Sequence, residues 1–246
     1  MSKVLITGGT GLLGKNIVKG FAKKKINVYF TSTSINKSES FLKTLTKNES
    51  LYIHPIVFKF DKVEDISLFI KKYKKLNFNI LINNARDMQN LTIGKNDLEV
   101  AKNFEREFFL SITLPYLLSE NLKKKLNSII NISSMYGVVA PNKNLYEDEY
   151  ITSPIHYGVS KSAQIHLTKE LSVRLAKNKI RVNCVSFGGV EGRVGNAFKK
   201  KYSELCPSGR MLKITEVFEP IWFLSQNLSS GMTGHNLIVD GGWCVW

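Results

Sequence analysis

The sequence predicts an α/β protein in three layers: a doubly wound parallel sheet with helices on both faces. Three observations predict it. Short apolar runs alternate with longer amphipathic segments along the 246 residues. The short runs are continuously apolar and rich in β-branched residues, as strands covered on both faces must be. A glycine-rich turn, Thr7-Gly8-Gly9-Thr10-Gly11-Leu12-Leu13-Gly14, joins the first run to the first amphipathic segment.

In chain order, Val4-Leu5-Ile6 predicts a strand over 3–7, and the turn leads into a helix over 13–24. A strand over 28–32, a helix over 38–47 and a strand over 53–60 follow. The helix over 63–73 precedes a strand over 80–83, built on Ile80-Leu81-Ile82. A long helix over 98–122 leads to a strand over 128–133, around Ile129-Ile130. The helix over 157–177 leads to the strand over 181–186. A helix over 214–224 and a strand over 236–239 close the chain. No linker or repeat divides this pattern, so one domain over 1–246 is expected. Two stretches, near 138–156 and 188–209, read as irregular substrate loops. Both follow strands, which puts them at the carboxyl edge where such sheets bind ligands.

The net charge is +15, which raises the question of a polyanionic partner. The positions of the lysines answer it differently. Lys23-Lys24-Lys25, the run from Lys71 to Lys75, Lys123-Lys124-Lys125, and Lys177 with Lys179 each fall where a helix should end. Cations there complement the helix dipole. Nucleic acid is therefore not the expected partner, and the positive field suits an anionic cofactor and substrate. No apolar run is long enough for a bilayer span, so no membrane partner is expected. The opening residues enter a strand too early for a signal peptide. Cys184, Cys206 and Cys244 match no metal or disulfide spacing, which points to a reducing cytoplasm. His54, His156, His166 and His235 form no metal pattern either.

The chemistry concentrates in a few motifs. Gly8, Gly11 and Gly14 sit between an apolar strand and an amphipathic helix, where backbone can approach a pyrophosphate at a helix N-terminus. An acidic residue ending the second strand would select NAD; this chain has Thr31-Ser32-Thr33-Ser34 and then Lys37. Hydroxyls and a cation suit a 2′-phosphate, so NADP is preferred over NAD. Asp61 is a candidate adenine acceptor or else a helix cap. Tyr157 and Lys161, four apart, share one helix face. A buried ammonium beside a phenol favours the phenolate, whose free pKa is about 10. A hydroxyl from Ser134 would hold a substrate oxygen beside Tyr157. Together these features predict hydride transfer.

These motifs occur in the order that resembles the short-chain dehydrogenase/reductase family: the glycine turn, Asp61, Asn83-Asn84-Ala85, Ile132-Ser133-Ser134, Tyr157/Lys161, Ile180-Arg181-Val182-Asn183, then Gly234 and Val239-Asp240-Gly241-Gly242. The resemblance covers almost the whole chain. It implies a Rossmann fold of about seven parallel strands, an NAD(P) cofactor, and a homotetramer or homodimer. It implies Tyr157 as acid/base, Lys161 as its modulator and ribose ligand, and Ser134 as the substrate anchor, with Ser133 as the competing candidate. It also implies cofactor contacts from Thr7, Gly8, Gly11, Leu12, Leu13, Gly14, Ser32, Thr33, Lys37, Asp61, Asn83, Ala85, Gly188 and Val190.

Several departures qualify it. Arg86 stands where the family has Gly, and Phe187 where it has Pro. Ser111 falls where the relay Asn is expected. Tyr157 follows Ser134 by 23 residues, well beyond the usual spacing, and the added residues include Tyr146-Glu147-Asp148-Glu149-Tyr150. That insertion reads as a substrate-selecting mouth or as a solvated acidic loop.

The segments 133–141 and 154–157 resemble the flagellin-modification subgroup, which implies a sugar-derived substrate of the sialic-acid-like type. Arg86, Ser111, Tyr136, His156 and Arg193 are then candidate substrate residues, each of the two arginines being readable also as a surface charge. The glycine spacing leaves a sugar-nucleotide epimerase or dehydratase with retained nicotinamide as an alternative. A small-ketone or acyl reductase and a non-catalytic dinucleotide sensor are further alternatives. The apolar end, Trp243-Cys244-Val245-Trp246, reads as a subunit contact.

Overall fold

The computed structural model describes residues 2–89, 91–146 and 153–246. Within them, β1 (Lys3–Ile6), β2 (Asn27–Ser32), β3 (Ile53–Val57), β4 (Ile80–Asn83), β5 (Ser128–Ser134), β6 (Arg181–Phe187) and β7 (Asn236–Val239) form one sheet. All neighbours are parallel, in the order β3-β2-β1-β4-β5-β6-β7. The order reverses between β1 and β4, which opens a crevice at the carboxyl edge there.

Both faces are apolar, which is why the strands read as continuous runs. Val4, Ile6, Ile82 and Ile130 face α1 (Leu12–Lys23), with Ile17 and Phe21 packed against them. Leu5, Leu81, Ile129 and Val182 face the opposite way, onto Phe69 and Leu171.

The helices depart from expectation where local chemistry intervenes. Instead of one helix over 38–47, α2 (Ile35–Leu42) begins earlier because Ser34 caps it, accepting from the Lys37 N–H at 3.2 Å. The short α3 (Lys47–Ser50) starts afresh from a Thr46/Glu49 capping box. Strand β3 ends at Val57 rather than residue 60, since its last partner on β2 is Ser32. α4 (Val63–Tyr73) matches its expected span.

The long helix over 98–122 is broken into α5 (Asp97–Phe108), a π-turn (Phe109–Thr113) and α6 (Leu114–Leu122). Pro115 has no N–H to offer the Ser111 carbonyl four residues earlier, so regular α pairing cannot continue through this point. α7 (Ile155–Arg174) carries the expected catalytic face. The region 188–209 is not all irregular, for it holds α8 (Asn196–Leu205). The helix expected over 214–224 is a 3₁₀ turn, Ile214–Glu216, followed by α9 (Phe218–Ser225).

Lys23 lies in the last turn of α1, and Lys71 and Lys72 in that of α4, in keeping with the helix-end reading of the basic clusters. Met135, Leu145, Tyr202, Cys206, Met211 and Trp243 make a third, smaller apolar cluster. Trp243 is buried there, while Val245 and Trp246 are exposed. The acidic run Glu147-Asp148-Glu149 and Tyr150 lie outside the described residues. No described helix is long and apolar enough to cross a membrane.

Candidate active site

A cavity of about 520 Å³ opens at the β1/β4 crevice. The glycine turn forms its floor. Gly8 has φ +70°, and a Cβ there would meet the Ala85 Cα at 2.9 Å. A Cβ on Gly14 would sit 2.2 Å from the Gly8 carbonyl oxygen. Turn and helix therefore touch through bare backbone. Gly11, the N-cap of α1, offers no side-chain acceptor, so the first N–H groups of the helix remain available to an anion.

The turn is tied to its neighbours. The Gly8 N–H donates to Thr31 Oγ1 at 3.0 Å, and the Gly9 N–H to the Thr31 carbonyl at 2.9 Å. Thr7 Oγ1 accepts from the N–H groups of Asn84 and Ala85, both at 3.0 Å. Asn84 Nδ2 in turn donates to the carbonyls of Thr7 and Gly8. Gly8, Gly11, Leu12, Leu13 and Gly14 line the cavity, and Ser32, Thr33 and Lys37 continue the lining at the end of β2. Lys37 Nζ donates to Thr33 Oγ1 at 3.5 Å, and no acid ends the strand. A dinucleotide fits these residues: its pyrophosphate against the turn, its adenosine end beside hydroxyls and a cation.

Asp61 is not the N-cap of α4, for Lys62 holds that place. Asp61 is half-exposed, pairs with Lys59 at 2.8 Å and Arg106 at 3.3 Å, and is outside the cavity lining that Lys59, Phe60 and Arg106 join.

At the other end, α7 presents Tyr157 and Lys161 to the same cavity. Lys161 is buried; its Nζ donates to the Ile132 carbonyl at 2.9 Å and to Gln164 Oε1 at 3.1 Å. Burial lowers its pKa, the charges of Tyr157 and Glu107 oppose that shift, and Arg86 adds to it. Lys161 Nζ lies 6.0 Å from the Tyr157 ring centre. Gln164 is itself held. Asn83 Nδ2 donates to Asn131 Oδ1 at 2.8 Å, Asn131 Nδ2 to Thr168 Oγ1 at 2.9 Å, and Thr168 Oγ1 to the Gln164 carbonyl at 2.9 Å. Asn83 thus ties β4 through β5 to α7.

The two serines differ in their commitments. Ser133 lines the cavity, but its hydroxyl donates to the Lys161 carbonyl at 2.9 Å. Ser134 is outside that lining, and its Oγ accepts from the Tyr136 N–H at 3.2 Å, which leaves its proton uncommitted. If Ser134 anchors the substrate oxygen, Ser134→Ala lowers kcat/KM by about 10²–10³-fold. Ser133→Ala then chiefly lowers the unfolding midpoint; steady-state kinetics and thermal melts on both variants separate the roles.

Ser111 is buried in the π-turn, outside the cavity lining, and donates to Glu107 Oε1 at 3.4 Å. Tyr136 packs edge-on to Tyr157, with ring centres 6.5 Å apart, and its hydroxyl meets that of Tyr146 at 2.8 Å. Burial pushes the Tyr136 phenol up strongly, so it stays protonated. His156 is buried against Phe104. Gly188 donates its N–H to the Val239 carbonyl, and Val190 bridges to Leu212; neither lines the cavity. Arg86 and Arg193 do line it. No cluster of metal-binding side chains exists among the described residues.

Sequence reasoning missed Gln164 and Glu107. Gln164 carried a signal, since it lies three residues after Lys161 on the same helix face. Glu107 carried none: a lone Glu in a charged helix reads as solvated, yet it is fully buried.

The chain matches, over residues 11–244, the family profile described as enoyl-(acyl carrier protein) reductase. It belongs to the short-chain dehydrogenase/reductase family. This short-chain dehydrogenase/reductase is accordingly an oxidoreductase. It is similar to the post-translational flagellin modification protein A of Campylobacter coli, 36% identical over 121 residues, which are 49% of this chain and 47% of that protein. The 3-oxoacyl-acyl-carrier-protein reductase FabG of Chlamydia pneumoniae is 27% identical over 98% of this chain and 96% of its own. Among solved structures, a short-chain dehydrogenase from Leptospira borgpetersenii with bound NAD⁺ superimposes with TM-score 0.83 at 26% identity, covering 99% of this chain and 92% of that one.

Proposed function

We propose that this short-chain dehydrogenase/reductase, as one domain over 1–246, interconverts a carbonyl and an alcohol on a sugar-derived substrate with a nicotinamide dinucleotide, preferring NADP. The observation that carries this reading is that Tyr157 and Lys161 open onto the same cavity as the Gly8–Gly14 turn. When bound, the nicotinamide supplies or accepts the hydride. The Gly8–Gly14 turn holds the cofactor's pyrophosphate, and Ser32, Thr33 and Lys37 receive its adenosine end. Ser134 orients the substrate oxygen, Tyr157 moves the proton to or from that oxygen, and Lys161 sets the charge around the phenol. Glu107 supports Lys161 through its field.

The flagellin-modification relative supports a sugar-derived substrate. The protein would act in the cytoplasm as a homotetramer or homodimer, which light scattering on the purified protein checks. The test of the reaction follows the absorbance of reduced nicotinamide with ketoses and sugar nucleotides. NADPH should be consumed with at least about tenfold better kcat/KM than NADH, and Lys37→Glu should erase that difference. Cofactor that co-purifies and is never consumed would instead favour the retained-nicotinamide alternative.

A second reading, reduction of a 3-oxoacyl thioester, is favoured by the nearly full-length match to FabG. Faster turnover of acetoacetyl-CoA than of any sugar would select it.

A further inference from the structure

Three guanidinium groups line the cavity, and the hydride-transfer chemistry uses none of them; Arg106 is paired with Asp61 and Asp87, which leaves Arg86 and Arg193. Arg86 sits over the ring of the proposed catalytic phenol, its Cζ 3.8 Å from the Tyr157 ring centre. Its Nε is buried and has no hydrogen-bond partner. Arg193, an exposed residue on the loop after β6, lines the same cavity, and among the described residues its Nη1 meets the Met88 sulfur at 3.1 Å. Among the described residues, neither arginine has a carboxylate within 4.0 Å, whereas Arg106, Arg174 and Arg210 do. Asp87, the one acid in the lining, is engaged by Arg106. The two cations also feel each other: Arg193 is lowered in pKa by burial first and by Arg86 second.

A pair of forked donors lining one cavity, with no counter-ion among the described residues, is an arrangement completed by an oxyanion. The cofactor's phosphates are already provided for. The pyrophosphate has the glycine turn and the open N-terminus of α1, and the adenosine end has Thr33 and Lys37. Arg86 instead sits on the ring whose hydroxyl does the chemistry.

We infer that Arg86 and Arg193 form a clamp for a carboxylate or phosphate group of the substrate, close to the carbon that exchanges hydride. This inference rests on the hydride-transfer reading and narrows its substrate to an anionic one. The clamp also draws Arg86 off the phenol face as the substrate enters, which frees the space above Tyr157.

The test uses full-length protein saturated with NADPH, so that the cofactor's own anion sites are filled. Cofactor binding is measured first by fluorescence titration; its absence in the wild type would sink the hydride-transfer reading itself. Inorganic phosphate and oxalate are then titrated calorimetrically into wild type, Arg86→Leu, Arg193→Leu and Arg86→Lys. Each Leu variant should bind the probes about 10–100-fold more weakly, with NADPH affinity unchanged, and Arg86→Lys should fall between. Circular dichroism and thermal melts verify that the variants are folded. Equal probe binding by wild type and both folded Leu variants would overturn the clamp. So would no probe binding by wild type, or a loss of NADPH affinity with probe binding intact, which would assign the arginines to the cofactor.

Discussion

Tyr157→Phe should abolish turnover, lowering kcat by about 10²–10⁴-fold while leaving the fold and cofactor affinity intact. The substitution removes one oxygen and keeps the ring. The ring carries the packing: Arg86 stacks on its face and Tyr136 meets it edge-on. Among the described residues no hydrogen bond joins the phenol oxygen to the Gly8–Gly14 turn, so a fluorescence titration with NADPH should match that of the wild type. Steady-state rates with a turned-over sugar or ketone provide the readout. Full turnover by a folded Tyr157→Phe protein would remove Tyr157 from the chemistry and assign the proton transfer to another group.

Gly14→Ala should cost at least about tenfold in cofactor affinity, together with about 1–3 kcal/mol of stability. The added methyl would fall 2.2 Å from the Gly8 carbonyl oxygen and 2.9 Å from the Gly9 backbone. Those are main-chain atoms, which cannot rotate away as a side chain would. The turn must open, and the N-terminus of α1 must swing from its place at the cavity floor. Gly20→Ala, six residues further along the same helix, provides the contrast. Its methyl would meet the ring of Phe218 at 2.2 Å, inside the core and away from the cavity. It should lower the melting temperature to a similar extent and leave cofactor affinity unchanged. Equal affinity losses in both variants would mean that Gly14 acts only through stability.

Much of this molecule was legible before any coordinates. The seven strands stand where β-branched runs placed them, because a strand buried on both faces has no polar alternation to confuse the reading. The glycine turn was legible because its constraint is local: strand, turn and helix follow one another within a few residues. Helix boundaries were less so. Ser34 and Thr46 rewrote the expected 38–47 helix into two, and Pro115 imposed a π-turn on a segment that reads as one helix. Those signals were in the sequence, but a hydrophobic period averages over them. The α8 helix was missed because its apolar residues, Phe198, Tyr202 and Leu205, pack into the small third cluster and not onto the sheet.

The sequence by itself determined the sheet, the glycine turn and the pairing of Tyr157 with Lys161. Each depends on residues adjacent in the chain or one helical turn apart, and such relations survive in a one-dimensional pattern. Only the tertiary structure decided which side chains share the cavity. It brought Arg86 from the end of β4 onto the face of Tyr157 from α7. It buried Glu107 in the field of Lys161 and tied Ser133, but not Ser134, to the Lys161 carbonyl. These relations join residues from separate strands and helices, where charge, burial and hydrogen-bond commitment depend on how the layers pack and not on any spacing along the chain.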